Sequence, residues 1–215
     1  MKIHINYVTT SAQKSEENEI LRRLPLPDGT PISDLFSFSL WREQVVETLE
    51  VDLVQLVAGE VSKAYERLKI PCVVEHAGLI LEDHLTSGYP GGLTKAMWNA
   101  LGGDFVKELG GGGRSVVARA VVAYCDGVAI RTFSGETVGR LADAPRGTRD
   151  FYWDRVFVPS ELPGVVASSS AGLTYSEIVE RHGLEFKVAN LSQSTKAMLR
   201  LLEQLRKEKA SFLWG

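Results

Sequence analysis

The sequence predicts an α/β protein built as a single domain over residues 1–215, a mixed sheet with flanking helices. Strand and helix patterns alternate at both ends of the chain. The middle holds a β-branched run, residues 115–125, that returns through Asp126-Gly127, a strong antiparallel hairpin signal. The opening strand–turn–helix lacks the G-x-G-x-x-G fingerprint of a dinucleotide site, and the chain has no GxxxxGK[ST] loop. A doubly wound parallel sheet is therefore the poorer reading.

Residues 2–9 put Ile3, Ile5 and Tyr7 on one side at period two, a first strand. Ser11 or Ser15 caps a helix to about Leu24, striped by Ile20, Leu21 and Leu24. The run LPLPDGTP is a loop on turn chemistry, and residues 35–41 alternate as a strand. From 53 to 69, Val57, Val61, Ala64, Tyr65 and Leu68 recur at helical spacing, and Pro71 stops that helix. CVVEHAGLIL (72–81) is short enough for a buried strand and delivers Glu75 and His76 at or near its end. A glycine–proline turn, 87–92, runs into a helix, and residues 104–109 continue helical until Gly110–Gly113. After the hairpin, residues 128–135 form the return strand. Thr174 and Glu177 make a capping box for a helix to about His182. A last helix, 192–209, buries Met198, Leu201, Leu202 and Leu205.

Lys plus Arg number 24 against 27 Asp plus Glu, a net charge of -3, so no broad basic field draws the chain to nucleic acid or an anionic membrane. No run of 18 apolar residues and no secretory h-region is visible, and the expected setting is cytoplasmic. Cys72 and Cys125 lie in apolar runs and read as buried free thiols, too few for a disulfide framework or a zinc site.

Four segments carry groups suited to chemistry. Thr9-Thr10-Ser11-Ala12-Gln13-Lys14 joins hydroxyls, helix-start N–H groups and a lysine, the makings of a phosphate cradle; a merely capped helix is the plainer alternative. Glu75-His76 offers a Mg²⁺-suited carboxylate beside a proton carrier, or a structural acid with a hydrogen-bonded histidine. Arg146-Gly147 and Phe151-Tyr152-Trp153-Asp154 can sandwich and hydrogen-bond a base, or begin a core strand. Lys187, Ser192, Gln193, Ser194 and Lys196 precede or open the last helix, where phosphate is favoured but solvated helix starts are also common.

In order and spacing these segments resemble the inosine triphosphate pyrophosphatase (Ham1-like) family. Its T-G-N-x-x-K loop is similar to Thr9–Lys14, its V-E-D strand end to Val74-Glu75-His76, and its G-x-P-G turn to Gly88–Gly91. Its A-P-R-G and F-G-W/Y-D segments resemble Ala144–Gly147 and Phe151–Asp154. The resemblance implies an elongated, two-lobed fold around a cleft and a homodimer. It also implies Mg²⁺-dependent (or Mn²⁺-dependent) hydrolysis of purine NTPs to a monophosphate and pyrophosphate. By that resemblance Lys14, Glu75 and His76 occupy catalytic positions, with Glu75 on the metal. Thr9, Ser11, Lys14, Arg146, Phe151, Trp153, Asp154, Ser192 and Lys196 occupy substrate-binding ones.

The departures fall on the chemistry. Ser11 stands for the loop asparagine, Gln55 for a metal glutamate, His76 for the second carboxylate, Tyr152 for a glycine, and Gln193-Ser194 for a histidine–arginine pair. One reading is a nucleotide hydrolase with a rebuilt site, in which His76 moves protons and Gly110–Gly113 cradles phosphate. The other is a catalytically silent nucleotide-binding or protein-interaction module.

Overall fold

The protein is described by a computed structural model covering residues 2–160 and 172–212, with side chains through residue 209. Among the described residues six strands form one mixed sheet in the order β2-β1-β3-β4-β5-β6. They are β1 (Ile3–Val8), β2 (Phe36–Trp41), β3 (Cys72–Leu81), β4 (Ser115–Cys125), β5 (Ile130–Leu141) and β6 (Phe157–Pro159). β1 runs parallel to β2 and β3, and every later pairing is antiparallel. Cys72 and Cys125 sit opposite each other on β3 and β4 as buried free thiols.

The helices are α1 (Ala12–Leu21), α2 (Ile32–Leu35), α3 (Leu53–Leu68), α4 (Thr94–Leu101), α5 (Phe105–Glu108), α6 (Tyr175–His182), α7 (Leu184–Asn190) and α8 (Gln193–Phe212). Alternating strand residues assign the two faces. Val73, Ala120 and Val122 pack with Ile20 and Leu21 of α1 and with Met198, Leu201 and Leu202 of α8. Val74, Val121 and Ala123 pack with Val57, Val61 and Ala64 of α3. A third cluster joins Leu79, Ala118, Phe105, Trp153, Phe157 and Tyr175. No helix among the described residues is long and apolar enough to cross a membrane.

Four expectations need correction. The first helix ends at Leu21, not Leu24, because Arg23 and Leu24 tighten into three-residue turns onto Ile20 and Leu21 before Pro25. β5 continues past Gly135 to Leu141. Gly135 is a site of close approach, where a Cβ would lie 2.1 Å from the Gln193 carbonyl oxygen. α7 lacks a side-chain cap and was not visible in the sequence. Glu75 and His76 lie in the middle of β3, not at its end.

That mid-strand placement creates the site. β1 pairs with β3 at Tyr7–Val73 and stops at Val8, while β3 continues to Leu81. Among the described residues no strand pairs with the β1 side of β3 between Val73 and the isolated Ile80–Pro90 bridge, and a cavity opens there.

Candidate functional site

The cavity has a volume of about 340 Å³. Thr9, Ser11 and Lys14 form one wall at the start of α1, and Glu75 and His76 form its floor on β3. The segment 42–50 crosses it with Glu43 and Glu47, while Glu60 of α3 and Lys95 of α4 close that side. Phe151, Tyr152, Trp153, Asp154 and Lys187 form the far pole, and Gln193 and Ser194 open α8 beside it.

Ser11 caps α1, its hydroxyl accepting from the Lys14 N–H at 3.2 Å. That first turn aims the Lys14 side chain across the sheet, where Nζ donates to the Glu75 carbonyl at 2.6 Å and lies 3.9 Å from its carboxylate. The Glu75 carboxylate accepts from Tyr7 Oη at 3.0 Å and from Ser194 Oγ at 2.8 Å. Burial, and then the Glu75 carboxylate beside it, raises the Tyr7 phenol well above its ordinary range, so it remains a donor. Glu75 thus ties β1, β3 and α8 together at the cavity floor.

At the far pole Lys187 Nζ donates to Asp154 Oδ2 at 2.6 Å and to Glu17 Oε1 at 3.0 Å. Its ammonium also lies 4.9 Å from the Tyr175 ring centre and 5.5 Å from that of Phe151. Burial pushes the Asp154 carboxyl up to about 6 against the pull of Lys187, and Glu17 reinforces the rise. Burial acts to lower the Lys187 ammonium, but Asp154 and Glu17 outweigh it and hold it above its ordinary range.

The aromatic segment divides its labour. Trp153 is 5% exposed and packs edge-on to Phe157 in the core, so it is wall and core at once. Phe151 and Tyr152 are half-buried on the cavity lining, their ring centres 5.4 Å apart. Tyr152 holds φ at 46°, a left-handed conformation that bulky residues rarely adopt. Lys95 lies 5.8 Å from its ring centre and bonds Glu47 at 2.6 Å.

Of the residues named from sequence, Thr9, Ser11, Lys14, Glu75, His76, Phe151, Trp153 and Asp154 meet in the cavity. Three do not line it. Arg146 bonds Glu177 of the α6 capping box at 3.1 Å and the Gly172 carbonyl. Ser192 caps α8 through Thr195 N–H at 3.3 Å. Lys196 reaches the Glu136 carbonyl at 2.8 Å and Thr137 Oγ1 at 2.9 Å. Gln55 sits exposed in the first turn of α3, outside the cavity, whereas Glu43 and Glu47 face it. The glycine run is spent on its own turn: Gly110, Gly111 and Gly113 donate to Lys107, Val106 and Leu141 carbonyls.

Sequence reasoning missed Glu17, Glu43, Glu47, Glu60 and Lys95. Glu60 had a signal: it sits between Val57, Val61 and Ala64 on the apolar stripe of α3, where an acid is out of place. Glu43 and Glu47 lie in a segment without periodicity, and only the fold turns them inward.

The lining holds six carboxylates (Glu17, Glu43, Glu47, Glu60, Glu75, Asp154) against three lysines (Lys14, Lys95, Lys187). Glu75 has both oxygens engaged by hydroxyls, and among the described residues no three His, Cys, Asp or Glu side chains converge as a metal site. The residues present do not form a ready-made Mg²⁺ cage.

A sequence model of the Ham1 family matches residues 5–177. The chain belongs to the Ham1 family. It is 30% identical over 169 residues to the dITP/XTP pyrophosphatase of Methanopyrus kandleri, covering 74% of this chain and 81% of that protein. It is also 30% identical over 145 residues to inosine triphosphate pyrophosphatase 2 of Trypanosoma cruzi, covering 62% of this chain and 69% of that protein. The solved Ham1 protein of Staphylococcus aureus superposes with a TM-score of 0.66 at 16% identity, over 95% of this chain and 99% of the other. A Ham1 protein from Coxiella burnetii gives 0.64 at 18% identity, over the same 95% and 99%. These two likenesses concern the fold. The mixed sheet with its flanking helices is the fold shared with these Ham1 proteins.

Proposed function

We propose that this Ham1-family chain hydrolyses a purine nucleoside triphosphate between the α and β phosphates, releasing pyrophosphate and a nucleoside monophosphate. The observation that carries the reading is the meeting, in one cavity, of the Thr9–Lys14 helix start with the Asp154–Lys187 pole. The first offers backbone N–H groups, hydroxyls and an ammonium to phosphate. The second offers a carboxylate for base N–H groups and an ammonium for base carbonyls, with Phe151 and Tyr152 as ring faces. The relatives' names, dITP/XTP and inosine triphosphate pyrophosphatase, point to the same chemistry.

In this reading Lys14 exchanges the Glu75 carbonyl for a phosphate oxygen. The Glu75 carboxylate, braced by Tyr7 and Ser194, keeps that lysine in place. His76 accepts the proton of the attacking water. The three-charge excess of carboxylates opposes a bare triphosphate, and Mg²⁺ (or Mn²⁺) accompanying the substrate would supply the counter-charge that the lining lacks. Assembly as a homodimer belongs to the same proposal, and light scattering of the purified chain tests it.

The test is a panel of ITP, XTP, dITP, ATP and GTP with Mg²⁺, Mn²⁺ or EDTA, scored separately for pyrophosphate and phosphate. Pyrophosphate release that Glu75→Gln abolishes supports the hydrolase. Nucleotide binding by calorimetry without turnover gives the protein to the second reading, a silent binding module. That second reading draws on the number of lining charges already paired within the chain: Glu43 with Arg67, Glu47 with Lys95, and Asp154 with Lys187.

A further inference from the structure

One charged group in the cavity is not accounted for. Glu60 is 4% exposed, lines the cavity, and its Oε1 has no hydrogen-bond partner among the described residues. An unsatisfied buried carboxylate is costly, and the fold does not require it. Val57, Val61 and Ala64 already pack α3 on the sheet. An aliphatic side chain at position 60 would complete that stripe.

What Glu60 meets is His76. Oε1 lies 3.5 Å from His76 Nδ1, and both side chains are buried, at 5% and 8% exposure. The contact is looser than a hydrogen bond, as catalytic pairs commonly are before substrate closes on them. α3 supplies the acid and β3 the imidazole, so the two are brought together by the packing of that helix on that strand.

We propose that Glu60 is a positioning residue for His76 in the hydrolytic step. The proposal rests on the hydrolase reading above. A carboxylate beside Nδ1 favours the tautomer with the proton on that nitrogen and leaves Nε2 as the acceptor. Nε2 then holds the attacking water. The water oxygen forms a bond to the α-phosphorus, and the bond from that phosphorus to the α–β bridging oxygen breaks. Pyrophosphate departs with the bridging oxygen, and the water's proton passes to Nε2. Glu60 touches neither water nor phosphate; it sets which nitrogen is available and holds the ring plane.

The experiment compares Glu60→Ala and Glu60→Gln with the wild-type chain at one fixed pH. It measures kcat and KM for the best panel nucleotide, thermal midpoints, and the His76 ring nitrogens by ¹⁵N NMR, assigned through His76→Gln. Expected for Glu60→Ala is a roughly 10- to 100-fold fall in kcat with KM within about twofold. Its thermal midpoint equals or exceeds that of the wild type, because an orphaned carboxylate is gone. Its ring nitrogen shifts move away from the Nδ1–H pattern of the wild type. Glu60→Gln, whose amide oxygen still accepts, recovers part of kcat. Unchanged kcat, unchanged ring shifts, or a kcat loss matched by a lower thermal midpoint overturns the proposal. A wild-type chain without turnover on the whole panel sinks the hydrolase reading instead. The NMR comparison on the free protein then still decides whether Glu60 sets the His76 tautomer.

Discussion

Replacing Lys187 by methionine is the sharpest probe of the far pole. The side chain is 2% exposed and its ammonium lies 2.6 Å from Asp154 and 3.0 Å from Glu17. Methionine keeps most of the volume and removes the charge, which leaves two poorly hydrated carboxylates facing each other. Breaking a buried pair from one side costs about 3–5 kcal/mol. For a chain of this size each kcal/mol lowers the thermal midpoint by about 2–4 °C, so the expected loss is roughly 6–20 °C. The loss depends on pH in a defined direction. Asp154 already titrates at about 6 with the lysine present, and removal of the cation raises it further. Protonated Asp154 needs no partner charge, so the deficit is smaller at pH 5 than at pH 8. Thermal melts followed by circular dichroism at both pH values read this directly. Adding Asp154→Asn to the variant restores more than half of the lost stability at pH 8. A loss below about 3 °C at pH 8, or one equal at the two pH values, would refute a buried charge cluster as the organiser of this pole.

Three further outcomes follow from the same geometry. Ionised Asp154 is the stronger acceptor for base N–H groups, so KM for the nucleotide falls as pH rises through about 6, and Asp154→Asn removes that inflection. The linked stability term runs the other way: the folded carboxyl titrates above its unfolded value of about 4, so its contribution is full below pH 4 and lost through about 6. Trp153→Ala destabilises by about 3–5 kcal/mol in denaturant melts because the ring is core. Phe151→Ala leaves the melt nearly unchanged and raises KM roughly 5- to 100-fold through lost stacking; the reverse pattern would exchange their roles. Gly135→Ala places a Cβ 2.1 Å from the Gln193 carbonyl and 2.5 Å from the Ala197 nitrogen, both backbone atoms that cannot step aside. It lifts the start of α8, lowers stability by about 1–3 kcal/mol and reduces turnover by displacing Ser194 from Glu75; wild-type activity in that variant would show that the α8 start is not part of the site.

Local patterns carried most of the secondary structure. β3 and β4 start and end at the predicted residues, because a β-branched run between a proline, a glycine cluster and Asp126-Gly127 admits little else. The Thr174–Glu177 capping box is present as read, since both of its bonds are made within four residues. α7 escaped because LEFKVAN has neither a cap nor a full apolar stripe, and it is buried through Val188 in the α1–α8 cluster and Lys187 in its charge cluster. Of the motif residues, Ser11, Lys14, Glu75 and Asp154 line the cavity, although Glu75 lies in mid-strand and not at a strand end. Arg146 and Lys196 are as conspicuous in sequence, yet they are held by Glu177 and by the Glu136 carbonyl, outside the cavity.

The sequence by itself determined the mixed α/β class and most of the elements that frame the cavity, α7 excepted, because these depend on periodicity and turn chemistry within a few residues. Tertiary structure alone decided which charges meet. Lys187 bonds Glu17, 170 residues away, and Ser194 bonds Glu75 across 119. Glu60 approaches His76 only because α3 packs over β3. Local rules give a side chain its direction from its own element, but its partner is set by how elements pack, and the energy of a buried charge depends on that partner.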